Sequence, residues 1–312
     1  MSTTMSTFYA MPGNMAFARQ LARAGGRECA AVQVHPFPDG ETMVRIEPVP
    51  AAPEAIVVCT LDHPDAKVVP LLMAAATLRE LGASRVGLVA PYLAYMRQDQ
   101  RFEPGQAVSA RIFAKLLSGA FDWLVTVDPH LHRIHRMSEV YTLEARVVHA
   151  APSIAAWIAA NVEQPLIVGP DGESAQWVGD VARRLGAPFV VATKERYGDR
   201  DVRIQLPGIA QWKAHTPVLV DDIISSGRTM VENLKALTAQ MARKPVCIGV
   251  HGIFAQDAMD RLHAAGADRI VACTTIPGSH AQIDIAAEVA AAAYALCGDA
   301  ASHTRQPQDT KP

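Results

Sequence analysis

The densest chemistry in this chain lies between Val218 and Thr229, in the run Val218-Leu219-Val220-Asp221-Asp222-Ile223-Ile224-Ser225-Ser226-Gly227-Arg228-Thr229. Val218–Val220 reads as a short buried strand that delivers two carboxylates at its carboxyl end. A tight loop of small hydroxyl residues and glycine follows. Met230, Val231, Leu234, Leu237 and Met241 then recur at roughly helical spacing, which predicts a helix. Backbone N–H groups of such a loop converge on an anion, with the positive end of the helix dipole behind them. Ser225, Ser226 and Thr229 can donate to phosphate oxygens, while Asp221 and Asp222 can accept from ribose hydroxyls. Together these residues describe a cradle for ribose 5-phosphate. Taken alone, Asp-Asp fits a capped turn equally well, because Asp and Ser are ordinary N-cap residues. Neither GxxxxGK[ST] nor GxGxxG occurs in the chain, which argues against a nucleotide held in either of those ways.

Other polar clusters follow apolar runs. In Pro91–Phe102, Arg97 can fork onto phosphate, Gln98 can read an amide-like base edge and Asp99 adds an acceptor. Phe37-Pro38-Asp39-Gly40-Glu41 precedes an alternating strand, Thr42–Ile46. Phe37 offers a stacking face, and Asp39 and Glu41 can accept from an exocyclic amine or a ribose; read by itself the segment is a turn. His130, with His132 and His135 nearby, is in isolation a hydrogen-bonded loop histidine. Lys194-Glu195-Arg196 is in isolation a solvated charged loop, followed by the turn-like Tyr197-Gly198-Asp199.

The elements that must position these residues alternate between apolar strands and amphipathic helices, the pattern of an α/β fold with mostly parallel sheet. Strands are predicted at 56–59, 86–89, 123–127, 166–168, 189–192, 218–220, 247–251 and 270–273. Helices are predicted at 66–81, 108–117, 173–185 and 281–297. The Ala151-Pro152-Ser153 step, where Ser153 could cap a helix, is the expected junction between a first domain, 1–150, and a second, 151–298. Leu124–His130 echoes Val218–Ile223, each an apolar strand ending in carboxylate; a duplication would leave such an echo, but α/β strands often end in polar site residues without one. The polar tail 299–312 is expected to be disordered.

With 29 Lys and Arg against 31 Asp and Glu in 312 residues, the chain shows no basic stripe for nucleic acid, and phosphates must be met by local charge. The N-terminal residues lack the basic and apolar stretches of a signal peptide, and the apolar stretch 285–297 is too short to span a bilayer. Five scattered cysteines without a CxxC read as free thiols in a reducing compartment, hence a cytoplasmic protein.

The run ending at Thr229 resembles the phosphoribosyl-pyrophosphate binding motif of type I phosphoribosyltransferases and ribose-phosphate pyrophosphokinases (PRPP synthetases). An ordered set favours the second family. Phe37–Glu41 resembles its F-x-D-G-E, Tyr95–Asp99 its Y-x-R-Q-D, Asp128-Pro129-His130 its D-x-H, and Gly169–Gly172 its P-D-x-G, although Asp171-Gly172-Glu173-Ser174 lacks the double glycine of many members. Lys194-Glu195-Arg196 is similar to the K-x-R of a mobile catalytic flap, and Val250–Phe254 continues the series. The resemblance implies two similar phosphoribosyltransferase-like domains, each a mostly parallel sheet flanked by helices. It implies transfer of the diphosphoryl group of ATP to the C1 hydroxyl of ribose 5-phosphate, giving PRPP and AMP. In that reading Lys194 and Arg196 are catalytic, and Phe37, Asp39, Glu41, Arg97, Gln98 and Asp99 serve ATP, one loop coming from a neighbouring subunit. Asp221 to Thr229, including Ser225, Ser226, Gly227 and Arg228, hold the sugar phosphate, and His130 and Asp171 ligate Mg²⁺. The resemblance further implies a homo-oligomer without nucleic-acid or membrane partners. A phosphoribosyltransferase would leave the Phe37 and Arg97 loops unexplained, and a non-catalytic subunit would not be expected to keep Lys194, Arg196, His130 and Asp171. Ser225-Ser226 and Arg228 depart from the Asp-Thr and glycine of many bacterial synthetases and are closer to archaeal ones.

Overall fold

The computed structural model describes residues 6–47, 53–197 and 201–297, and of 194–197 and 201–203 the backbone alone. The expected disordered tail from residue 299 lies outside these residues. The first half runs β1 (Thr7–Ala10), α1 (Met15–Ala24), β2 (Cys29–Pro36), β3 (Thr42–Ile46), β4 (Glu54–Val58), α2 (Asp65–Glu80), β5 (Arg85–Ala90), α3 (Ser109–Ala120), β6 (Trp123–Val127) and β7 (Glu144–Val148). Its sheet has the order β3-β2-β1-β4-β5-β6-β7, parallel throughout except for β3. The second half runs α4 (Ala151–Asn161), β8 (Pro165–Gly169), α5 (Ala175–Leu185), β9 (Phe189–Val191), β10 (Thr193–Tyr197), β11 (Asp201–Gln205), β12 (Thr216–Ile224), α6 (Arg228–Gln240), β13 (Val246–Gly252), α7 (Ala258–Ala264), β14 (Arg269–Cys273), β15 (Ala281–Ile283) and α8 (Ala286–Leu296). Its sheet has the order β15-β14-β13-β12-β8-β9, all parallel, while β10 and β11 form a separate antiparallel hairpin.

The central strands are short because they are apolar on both faces and end where polar residues begin. β4, β6 and β13 are buried along their whole length, as parallel strands covered by helices on both sides must be. The two halves repeat one topology: β2-β1-β4-β5-β6-β7 corresponds, strand for strand, to β9-β8-β12-β13-β14-β15. In each half a hairpin interrupts the chain after the second strand, β2–β3 in one and β10–β11 in the other. The duplication read from the sequence therefore exists, but with a different pairing. Leu124–Val127 belongs to β6, whereas the counterpart of β12 is β4; Asp128, just after β6, and Asp221 and Asp222, within β12, line the same cleft.

Each half has an apolar cluster largely its own, and a further cluster runs through both. α4 packs on α5, whereas α8, from the end of the chain, packs on α1 and on β6 and β7 of the first sheet. Tyr294 on α8 donates to the Leu21 carbonyl at 2.7 Å, and Arg85 donates to the carbonyl of Leu296 at 3.3 Å. One apolar cluster consequently runs from Phe8, Ile56 and Trp123 through Ile154 and Ile158 to Ile167, Val218, Ile248 and Val289.

Several predicted boundaries move. The helix expected at 281–297 is split, because residues 281–283 pair with β14 as the last strand and Ala286 N–H then caps on the Asp284 carboxylate at 2.9 Å. The helix expected from 173 begins at Ala175, after a 3₁₀ turn over Gly172–Ser174. Ser153 is no cap: α4 starts two residues earlier, and the Ser153 hydroxyl lies 2.8 Å from Glu288. The strand expected to stop at Val220 continues to Ile224, so Asp221 and Asp222 lie within β12 rather than after it.

Candidate functional site

A cleft of about 650 Å³ opens between the halves at the carboxyl ends of β6, β8 and β12, where open α/β sheets take their ligands. Arg97, Asp128, His130 and His132 line it from the first half, and Asp171, Glu173, Asp221, Asp222 and Thr229 from the second.

Two contacts span the cleft. His130 Nδ1 is 2.6 Å from Asp222 Oδ2, and His132 Nε2 is 2.8 Å from Glu173 Oε1. The two imidazoles stack with centroids 6.0 Å apart. The hydrogen bond to Asp222 raises the His130 pKa against the opposing pull of burial. Burial alone would raise Asp222, but the hydrogen bond and charge of His130 hold its carboxyl below the usual range. Asp221 behaves differently. Burial, then the adjoining charges of Asp222 and Asp171, push its carboxyl well above the ordinary value.

The cleft has supports that sequence patterns did not reveal. Asp128, at φ +29°, accepts from the Ala150 N–H at 2.8 Å and pairs with His149 Nδ1 at 2.8 Å. That hydrogen bond raises the His149 pKa. His251 is fully buried, places Nε2 3.3 Å from the Asp128 carbonyl and Nδ1 3.0 Å from the Thr275 hydroxyl, and meets the Tyr92 ring edge-on at 5.0 Å. Burial lowers its pKa, which favours the neutral imidazole. The sequence marks His251 only through its place in Val250–Phe254, and it marks His149 not at all. Buried Asn233 donates to the carbonyls of Pro170 and Thr229, at 3.2 and 2.9 Å, which ties α6 to the turn carrying Asp171.

Of the residues singled out in the sequence, Arg97, His130, Asp171, Asp221, Asp222 and Thr229 meet in the cleft. Ser225 to Gly227 form the loop between β12 and α6, and Gly227, the N-cap of α6 at φ +70°, adopts a conformation that a residue with a Cβ would take only under strain. Arg228, at the first helical position, is exposed. Lys194 and Arg196 fall on β10, so the flap is a β-hairpin, paired from Thr193–Gln205 to Tyr197–Asp201; residues 198–200 lie outside the described ones. Gln98 and Asp99 do not line the cleft. The Asp99 carboxylate, 2 % exposed, pairs with Arg133 at 3.2 Å, and Gln98 turns toward Gln106. Phe37, Asp39 and Glu41 form the exposed tip of the β2–β3 hairpin, closed by Phe37 N–H to the Glu41 carbonyl at 2.7 Å and remote from the cleft lining. Among the described residues no three His, Cys, Asp or Glu side chains form a ready-made cation cage.

Residues 7–120 match the family described as the N-terminal domain of ribose phosphate pyrophosphokinase, and residues 138–288 match the phosphoribosyl transferase domain. The chain is 34% identical over 283 residues to a ribose-phosphate pyrophosphokinase of Methanopyrus kandleri, covering 90% of this chain and 96% of that protein. It is 32% identical over 278 residues to one of Halobacterium salinarum, covering 89% and 96%. In fold it is similar to a phosphoribosylpyrophosphate synthetase of Mycobacterium smegmatis, with a TM-score of 0.82 at 23% identity over 94% of this chain and 99% of that one.

Proposed function

This chain belongs to the ribose-phosphate pyrophosphokinase family, and on that premise we propose how its cleft moves the diphosphoryl group of ATP onto the C1 hydroxyl of ribose 5-phosphate, giving PRPP and AMP. The observation that carries the reading is the convergence, in one cleft, of the paired aspartates of β12 and Thr229 with Arg97 and His130 from the other half. The sugar phosphate lies with its phosphate at the Ser225–Thr229 loop and its hydroxyls at Asp221 and Asp222. The C1 hydroxyl then faces the first half, from which Arg97 meets the phosphate chain of ATP. Lys194 and Arg196 add positive charge to the transferring group when the β10–β11 hairpin folds over. Diphosphoryl transfer depends on alignment and charge stabilisation more than on covalent help from the protein.

The residues present fit Mg²⁺. Carboxylates suit this cation, and Asp171, Asp221 and Asp222 all line the cleft. Asp171 and His130 would hold it, with water completing the shell; bound there, the ion neutralises phosphate charge. With Nδ1 given to Asp222, His130 keeps Nε2 for such a ligand, so the same pair also sets which face of the imidazole is presented.

A homo-oligomer is part of the proposal. Phe37 is 43% exposed at a hairpin tip, and an exposed stacking ring with two acids gains a task if it reaches a neighbouring copy. A cytoplasmic setting accords with five free cysteines and with the absence, among the described residues, of any helix long and apolar enough to cross a membrane. A coupled assay tests the activity: AMP must form from ATP only when ribose 5-phosphate and Mg²⁺ are both supplied, and AMP released without the sugar refutes the reading.

A further inference from the structure

The loop that carries Ser225 to Gly227 is tied down from behind, one carbonyl after another. The Ile224 carbonyl accepts from the N–H groups of Ile253 and Phe254, both at 3.0 Å, and the Ser225 carbonyl accepts from Ala255 N–H at 3.1 Å. These donors belong to a turn in which Phe254 and Gln256 hold φ of +45° and +55°, unusual for residues with a Cβ. That turn gives the segment Val250–Phe254 a task that the cleft lining alone does not supply. At Asp257 the chain enters α7, and backbone donors are no longer at hand for the third carbonyl. A side chain takes over: Arg261 reaches back from α7 and donates to the Ser226 carbonyl at 2.9 Å. Its guanidinium is braced by Asp257 at 3.1 Å.

The consequence follows from peptide geometry. In a trans peptide the C=O and the next N–H point in opposite directions, and no cis peptide occurs among the described residues. Tying the carbonyls of residues 224, 225 and 226 back toward the 253–261 segment therefore turns the N–H groups of Ser225, Ser226 and Gly227 the other way, away from α7. Successive N–H groups presented on one side make an anion-binding nest. Gly227 closes the row with φ +70°, and a Cβ there would lie 3.6–3.7 Å from Leu262 and Ala258, so α7 also backs the glycine.

We propose that Arg261 is a positioning residue for the sugar-phosphate loop: by holding the Ser226 carbonyl it aims the Gly227 N–H at the phosphate monoester, without touching the ligand itself. The proposal rests on the reading of Ser225–Thr229 as the ribose 5-phosphate cradle. Without the tie the Ser226–Gly227 peptide is free to rotate, because glycine accepts either sense of φ. Lysine keeps a cationic donor for the carbonyl but not the fork that also reaches Asp257.

The test uses the full chain and measures ribose 5-phosphate binding by calorimetry, with inorganic phosphate as the competing anion and the KM for ATP as the internal comparison. Arg261→Met is expected to weaken ribose 5-phosphate and inorganic phosphate alike by about ten-fold, the scale of one charge-assisted hydrogen bond. The KM for ATP and the melting temperature stay near those of the unchanged protein, and Arg261→Lys recovers part of the loss. Equal losses for ribose 5-phosphate and ATP, or a lower melting temperature with no recovery by lysine, overturn the proposal in favour of a general structural role for α7. Thr229→Val separates the remaining outcomes. If it weakens sugar-phosphate binding while Arg261→Met does not, the tie-back is wrong and the cradle stands. If neither variant weakens binding, the cradle is misplaced and the inference falls with it.

Discussion

The loops after β4 and β12 occupy the same place in the repeated topology, yet their side chains differ sharply. After β12 come Ser225, Ser226 and Gly227, small residues whose carbonyls are tied behind the loop. After β4 come Thr60, Leu61, Asp62, His63 and Pro64, and here the chain supplies its own charge pair. Lys67, in the first turn of α2, reaches back to the Thr60 carbonyl at 3.0 Å and to Asp62 at 2.5 Å. Thr60 is buried and bonded to Asn14 and to the Thr275 carbonyl of the other half. The Lys67 charge is thus met by the chain's own Asp62. In the proposed reading, two copies of one strand-loop-helix unit serve as a ligand cradle and a structural joint. The difference lies in loop side chains, not in the sheet beneath them.

The hairpins after the second strand diverge in the same way. β2–β3 continues the first sheet, with β3 packed against α2, whereas β10–β11 is a sheet of its own that meets the second half through α6. The halves nevertheless share one apolar cluster, and this is where the comparison can be broken most forcefully. Trp123 is fully buried, hydrogen-bonded to Glu54 at 2.7 Å, and stands where a Cβ on Gly87 would collide with it at 2.0 Å. Trp123→Ala should cost about 3–5 kcal/mol, read by urea unfolding followed through fluorescence and circular dichroism together. One transition, moved as a whole, is expected; a separate, unmoved transition for the second half would show that the halves are independent after all.

Lys194→Ala comes next. The loss of one preorganised donor to the transferring group should lower kcat by about 10²–10³-fold, with little change in melting temperature. Unchanged turnover would remove the hairpin from the mechanism. A smaller effect sharpens the contrast between the two loops. Asp222→Asn should weaken ribose 5-phosphate about ten-fold, whereas Asp62→Asn, at the joint after β4, should leave that affinity unchanged. Equal losses in calorimetric titrations would mean that the two loops are not functionally distinct.

The sequence located the β12–α6 unit well and its surroundings poorly, for physical reasons. An apolar strand, paired acids, small loop residues and an amphipathic helix are local features, and β12 and α6 fall close to where periodicity puts them. Asp99 could not be judged locally, because Arg133, its partner, lies 34 residues away. Arg261 acts on a backbone carbonyl 35 residues distant, and carbonyls leave no mark in a sequence. The split at residue 284 escaped because a three-residue strand, Ala281–Ile283, is too short to show an alternation beside the alanine-rich helix that follows. The echo between the halves suggested the wrong pair of strands, since acids at strand ends report nearness to the cleft rather than descent from one ancestral strand.

The smallest expected effect concerns the His130–Asp222 pair that joins the halves. A histidine whose folded pKa is raised contributes stability in full below its unfolded value, near 6.5, and loses it as pH rises through the folded value. A carboxyl whose folded pKa is lowered contributes above its unfolded value and loses that as pH falls through the folded one. The pair therefore stabilises most between the two, and melting temperature should decline on the alkaline side of neutrality. Asp221 bends the profile the same way, because its raised pKa means that ionising it in the folded protein is unfavourable. His130→Asn separates the two effects. It removes the histidine contribution, and Asp222 without its partner joins Asp221 in resisting ionisation. The difference between the unchanged and variant profiles should shrink as pH climbs past the raised His130 pKa. A difference that stays constant from pH 6 to pH 9 would mean that the imidazole is neutral throughout and holds Asp222 by hydrogen bonding alone.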